Sequence, residues 1–356
     1  MKKSKLSVAL LTACMAATLL AGCGDKKTET TEATTEATTE AATEAATTTE
    51  ATVADATASE ADADEDENYE TGDASLDNVR NQDEIGDNEL LVVSFGTSFN
   101  DSRRLTIGAI ENKLDEEFGK DYSVRRGFTS QIIIDHVKRR DGIAIDNMTE
   151  ALDRAVDNGV KNLVIQPTHL MNGLEYTDVV NEVGDYADAF DQVVIGDPLL
   201  TSDEDFDEVV KAITDATAEY DDGETAICFM GHGTEADSNE VYQKMQDKLT
   251  DAGFENYFVG TVEATPSVDD VLAKVQAGDY KKVVLEPLMI VAGDHANNDM
   301  AGDEEDSWKS QFEASGAFDE IDTQIEGLGR IDAVEQLYVQ HTKAAMDGNG
   351  VQDDAE

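Results

Sequence analysis

The chain has 356 residues, 40% of them hydrophobic, and sets 26 basic against 78 acidic side chains for a formal net charge of −52. It is long enough to bury a sizeable core, and its charge excludes most nucleic-acid and other polyanionic partners.

The chain opens on basic Lys2, Lys3 and Lys5, an apolar run from Leu6 to Leu20, and the tetrad Leu20-Ala21-Gly22-Cys23. This order reads as an export signal over residues 1–22. The tetrad resembles the lipobox of bacterial lipoproteins. That resemblance implies that Cys23 carries the acyl chains and anchors the protein on the extracytoplasmic face of a bacterial cell membrane. Residues 23–88 follow as loose Thr, Ala, Glu and Asp repeats with little to bury, and are expected to form a disordered acidic tether. With Cys14 in the signal and Cys23 lipidated, Cys228 is left as the one free thiol; inside "AICFM" it reads as buried and inert.

From Glu89 to Met346 the pattern changes. Short apolar runs ("LLVVSF", "YSVRRGF", "NLVIQP", "QVVIGD", "AICFMG", "YFVGTV", "KVVLEP", "IDTQIEG") alternate with amphipathic helical stretches. Strand, helix, strand, helix predicts an α/β fold with mostly parallel sheets covered on both faces. The length predicts two doubly wound lobes, about 89–198 and 199–346, with a cleft between them and an acidic tail at 347–356. Two echoes support a duplication. "SFGTSFNDS" from Ser94 matches "GHGTEADS" from Gly231, and "VIQPTHLMNGLEY" from Val164 matches "VLEPLMIVAGDHA" from Val284, with Glu175 opposite His295. All four turns follow strands, where ligands of such sheets bind.

Three residues of the second lobe end consecutive strands: His232 in "GHG", Glu263 in "TVEATP" and His295 in "GDHANND". Two imidazoles and a carboxylate converging at one sheet edge suit Co2+, Fe2+, Ni2+ or Zn2+ with positions left open for substrate. The alternative is that each merely caps a turn. The first lobe adds His169 and Glu175, six residues apart; a histidine satisfied at a strand end and an acid favoured by a helix N-terminus are the plainer readings of these two. His136 and His341 read as surface or packing residues. Asp299, Trp308 and the acids from Asp303 to Asp306 read as capping and solvating a helix start. No phosphate loop is present, because the glycines near Gly96 and Gly233 lack a partner lysine, and Ser94 lacks the glycine that a nucleophile elbow needs.

The blocks "LLVVSFGTSFNDSR", "IQPTHLMNGLEYTDVV", "FMGHGT", "VEATPSVDDVL" and "EPLMIVAGDHANNDMAGDEEDSWK" together resemble the anaerobic-pathway sirohydrochlorin cobaltochelatases of the class II tetrapyrrole chelatase superfamily. The resemblance implies ATP-independent insertion of Co2+ into sirohydrochlorin, a step of cobalamin biosynthesis, within the cleft between two similar lobes, with no nucleotide cofactor. It implies His232, Glu263 and His295 as metal ligands, Glu175 as a further active-site acid, and His169, Ser94 and Thr97 as tetrapyrrole-lining residues. Fe2+ and Ni2+ fit the same donors, and self-association into a homo-oligomer is compatible with the sequence. Export sets this chain apart from cytoplasmic family members. The competing reading is a surface lipoprotein that binds a tetrapyrrole or divalent metal without catalysis.

Overall fold

A computed structural model describes residues 71–348. Cys23, the export signal and most of the expected tether lie outside the described residues. Within them the chain forms two parallel sheets. The first holds β1 (Asn88–Ser94), β2 (Ser123–Phe128), β3 (Asp146–Asn147), β4 (Asn162–Pro167) and β5 (Gln192–Ile195) in the order β3-β2-β1-β4-β5. The second holds β6 (Thr225–Gly231), β7 (Tyr257–Thr261), β8 (Lys282–Pro287) and β9 (Glu320–Thr323) in the order β7-β6-β8-β9. Each of the eight apolar runs is a strand. Only the two-residue β3 carries no periodic signal that would announce it.

Both faces of the sheets are covered, as parallel strands require. Along β1, Leu90 and Val92 point to one core while Leu91 and Val93 point to another. Along β6, Ile227 and Phe229 share the core of Leu90 and Val92, whereas Ala226, Cys228 and Met230 face a third. The inner faces of the two sheets therefore bury against one continuous core. It is completed by helices α6 (Asp203–Ala216) and α10 (Asp332–Met346), through Phe206, Val209, Leu337 and Tyr338. Cys228 is buried and free, and burial pushes its thiol well above the ordinary range.

The duplication is matched strand for strand. Without β3, the first sheet runs β2-β1-β4-β5, the order of the second. Val93 pairs with Pro167 as Met230 pairs with Pro287. The next residues repeat the bond: Thr168 N–H donates to Val93 O and Leu288 N–H to Met230 O, each at 2.7 Å.

Two expected boundaries need correction. The last helix does not belong to the second lobe. Tyr338 Oη donates to Thr168 O at 2.9 Å, Thr342 Oγ1 to Gln166 Oε1 at 2.9 Å, and His341 Nδ1–H to Asp197 O at 3.2 Å, so α10 closes over the first sheet. His341 is a buried packing residue, its Nε2 3.0 Å from Asp205 Oδ1. His136 is buried as well. The tether, in turn, does not run to residue 88. Residues 71–87 form a strap on the first lobe: Gln82 Nε2 donates to Val124 O at 3.0 Å, Arg126 N–H donates to Arg80 O at 3.1 Å, and Arg80 and the side chain of Asp77 are buried. Asp77 meets Arg103 and Arg126, and Arg126 also meets Glu111, all of them almost wholly inaccessible. Removing one partner of such a buried pair costs about 3–5 kcal/mol, because the other charge is stranded.

Candidate metal-chelation site

The second lobe builds its site on three strand ends. After β6 the chain turns through Gly231-His232-Gly233. A Cβ on Gly231 would lie 2.1 Å from the Tyr242 ring, and Gly233 has φ +91°, so neither position accepts another residue without strain. The turn leaves the His232 ring partly exposed, with Nδ1–H donating to Gly233 O at 2.7 Å. Glu263 follows β7 and is tied back by its own N–H to His232 O at 2.9 Å. Its Oε2 lies 3.9 Å from His232 Nε2.

His295 stands at the start of a single π-helical turn, Ala296–Met300, entered from β8 through Gly293. Its ring lies edge-on to that of His232, with centroids 4.6 Å apart and planes at 79°. Nδ1 meets Asp299 Oδ2 at 2.6 Å. Burial disfavours the charged ring. The hydrogen bond and charge of Asp299, with Asp294 and Glu263 beyond, outweigh that and hold His295 above the ordinary histidine value. Asp299 thus orients the imidazole instead of capping a helix. That cap is Ser307, whose Oγ accepts Ser310 N–H at 3.1 Å, and Trp308 is core, stacked on Phe312. In both histidines Nδ1 carries the proton, so the neutral ring keeps the Nε2 lone pair for a ligand. Among the described residues no group of three or more His, Cys, Asp or Glu is placed so that it already could hold a metal ion. His232 stands beside both Glu263 and His295, and side-chain movement would be needed to bring all three onto one ion.

The first lobe brings different chemistry to the matching edge. After β1 the turn Phe95-Gly96 repeats His232-Gly233: Gly96 has φ +107°, Thr129 N–H donates to Ser94 O at 2.9 Å, as Val262 N–H does to Gly231 O at 2.9 Å, and Ser130 N–H reaches Phe95 O at 3.2 Å. Phe95 therefore occupies the place of His232, and the residue is 46% exposed. The echo "SFG"/"GHG" carried this signal, and chemical reading of the histidines alone missed it. Glu175 lies in the first turn of α5 (Leu174–Tyr186). Its side chain is half exposed but hemmed in by protein. That loss of solvation, with Asp178, pushes it up to about 7, against the direction a helix N-terminus favours. His169 is buried, neither ring nitrogen has a hydrogen-bond partner, and Nε2 lies 3.7 Å from Glu175 Oε2. Burial lowers its pKa to about 4, so it is neutral near pH 7.

Ser94 and Thr97 are buried, so neither side chain is exposed to line a bound tetrapyrrole. Ser94 is 1% exposed and accepts the Thr168 hydroxyl at 2.7 Å. Thr97 is 3% exposed, and its Oγ1 accepts Phe99 N–H at 3.2 Å. Thr97 serves instead where the lobes meet: a Cβ on Gly293 would stand 3.1 Å from Thr97 Oγ1, and nearby Ala292 N–H donates to Ser102 Oγ at 3.0 Å.

Two similar parallel-sheet lobes, with imidazole and carboxylate donors on one and an acid and an aromatic ring on the other, define a protein of the tetrapyrrole-chelatase fold. Residues 88–347 match the family described as cobalt chelatase (CbiK), and the chain belongs to that family. It is 37% identical over 257 residues to the sirohydrochlorin cobaltochelatase of Salmonella typhimurium, covering 72% of this chain and 96% of that one. It is 28% identical over 279 residues to the sirohydrochlorin cobaltochelatase CbiKC of Nitratidesulfovibrio vulgaris, covering 76% and 96%. Among solved structures it resembles SirB from Bacillus subtilis with Fe3+, at TM-score 0.53 and 13% identity over 74% of this chain and 97% of that one, a likeness of fold.

Proposed function

We propose that the protein inserts Co2+ into sirohydrochlorin, with His232, Glu263 and His295 holding the incoming ion and Glu175 receiving pyrrole protons. The observation that carries this reading is the paired imidazoles 4.6 Å apart, each with Nδ1 tied to an acceptor and Nε2 unprotonated in the neutral ring. Neutral imidazoles ligate Co2+ without adding charge, and an open site releases it as the macrocycle nitrogens take over. Insertion exchanges two N–H protons for the ion. A carboxylate raised to about 7 is matched to accept one proton at neutral pH and, being half exposed, to pass it to solvent before the second leaves, while His169 beside it, lowered to about 4, stays neutral and takes none. Fe2+ and Ni2+ suit the same donors, and the chemistry calls for no nucleotide.

The test mixes the purified chain with sirohydrochlorin and Co2+ anaerobically and follows the absorption spectrum. Many turnovers per protein are expected. A spectral change that stops at one equivalent identifies a binder. The placement proposed for this chemistry is the extracytoplasmic face of a bacterial membrane, held by acylated Cys23. It is supported by the basic, apolar and Leu-Ala-Gly-Cys sequence of residues 1–23. Cys23→Ala is expected to abolish lipid labelling and membrane retention; unchanged labelling contradicts it.

A further inference from the structure

The family match begins at residue 88, yet the strap before it holds buried side chains within the matched region. The Asp77 carboxylate, 1% exposed, lies 2.7 Å from Arg103 Nε and 2.7 Å from Arg126 Nη1. The two arginines depend on it unequally. Glu111 grips Arg126 through two further bonds of 2.7 Å each. Arg103 has no other carboxylate in hydrogen-bond reach among the described residues. Its remaining donors go to Thr97 O at 3.1 Å and Asn100 Oδ1 at 2.5 Å. The same strap holds the start of helix α1 (Asn100–Leu105): Asp101 N–H donates to Thr71 O at 2.7 Å, and Asn100 Nδ2 to Gly72 O at 3.2 Å. Thr97, in turn, packs beside Gly293, two residues before His295, closely enough that a Cβ on that glycine would stand 3.1 Å from Thr97 Oγ1.

We propose that Asp77 is a positioning residue: the strap fixes the fully buried Arg103, and through it the Thr97 turn of the first lobe against the Gly293–His295 turn of the second. A guanidinium is a rigid planar fork, so its orientation follows its strongest acceptor. With Asp77 in place, the Arg103 N–H on the far side is aimed at Thr97 O. Without it, Arg103 has only neutral acceptors, and the seam that sets the distance between the cleft walls loosens. The proposal rests on the reading of that cleft as the chelation site.

The test compares Asp77→Asn, Arg103→Lys and Glu111→Gln in the full chain, each at a temperature where circular dichroism shows it folded. Asp77→Asn is expected to lower kcat/KM for chelation on the order of 10- to 100-fold, since small misplacements in a site carry such costs, and to shift the visible spectrum of bound Co2+. Arg103→Lys keeps Asp77 paired but cannot also reach Thr97 O, so it is expected to do the same, and it decides the matter should Asp77→Asn not fold. Glu111→Gln weakens Arg126 and Arg80 and is expected to lower only the melting temperature. Wild-type kinetics and spectrum in both Asp77→Asn and Arg103→Lys overturn the proposal, as does an equal kinetic loss in Glu111→Gln. If the wild-type chain neither chelates nor binds Co2+, it is the functional reading that fails. The strap is then read from amide exchange at Phe99 and Ala292, which must quicken in Asp77→Asn but not in Glu111→Gln.

Discussion

The two sheet edges share a backbone and differ in chemistry. Phe95 and His232 follow equivalent strands, turn at glycines of positive φ, and have carbonyls bonded by Ser130 and Glu263 respectively. In the sequence echo, Glu175 aligns with His295. One edge thus offers two imidazoles and a carboxylate, the other an exposed aromatic ring and a single acid of raised pKa. A duplicated fold can keep every hydrogen bond that shapes its turns while the exposed side chains diverge, because strand-end turns carry little of the core. The division suits a reaction in which one wall delivers a cation and the other removes protons.

Exchanging the chemistry of either wall tests that division. The largest effect is expected at Glu175. Glu175→Gln should lower kcat by about 10²- to 10⁴-fold, the usual worth of a positioned base, with Co2+ affinity retained. The sign of the pH dependence follows from its raised pKa: the ionised form accepts protons, so wild-type turnover should climb as pH rises through about 7, an inflection the Gln variant lacks. A steady-state pH profile checks both. On the opposite wall, His232→Ala or His295→Ala should weaken Co2+ binding by more than the roughly 10- to 100-fold that follows loss of an outer-shell partner, and Asp299→Asn by about that amount. Metal titrations that leave all three at wild-type affinity would reduce these residues to turn caps. Phe95→Ala should raise KM for sirohydrochlorin up to about 10-fold, the scale of a single aromatic contact, without altering Co2+ affinity. The smallest kinetic effect is expected at His341. Its loss leaves Asp205 Oδ1 without that partner and should cost about 1–3 kcal/mol in denaturant unfolding while leaving kcat/KM unchanged.

Much of this was legible in the sequence because parallel strands buried on both faces write themselves as unbroken apolar runs, as in "LLVV" and "AICFM". The histidines were legible for the opposite reason: they are polar residues set directly after such runs, beside glycines. What could not be read was partnership across the chain. Asp77 sits in an acidic, polar stretch indistinguishable by composition from a tether, and its burial depends on arginines 26 and 49 positions away. Arg125 and Arg126 interrupt β2 as though exposed, yet both are buried against carboxylates. Helix α10 follows the second sheet in sequence and packs on the first, because Tyr338 and Thr342 find their acceptors there. Asp299 was within reach, four residues after His295 on one helical turn, but an acidic run beside a helix reads first as a cap.

The central claim is that the second lobe's strand ends hold the metal while the first lobe's do not. X-ray absorption at the cobalt edge of the Co2+-loaded protein, without tetrapyrrole, tests it most directly. Outer-shell scattering from two imidazoles is expected, with the remaining ligands oxygen, reduced to one imidazole in either His232→Ala or His295→Ala. Imidazole scattering that survives in both variants and disappears in His169→Ala would place the ion on the other wall and contradict it.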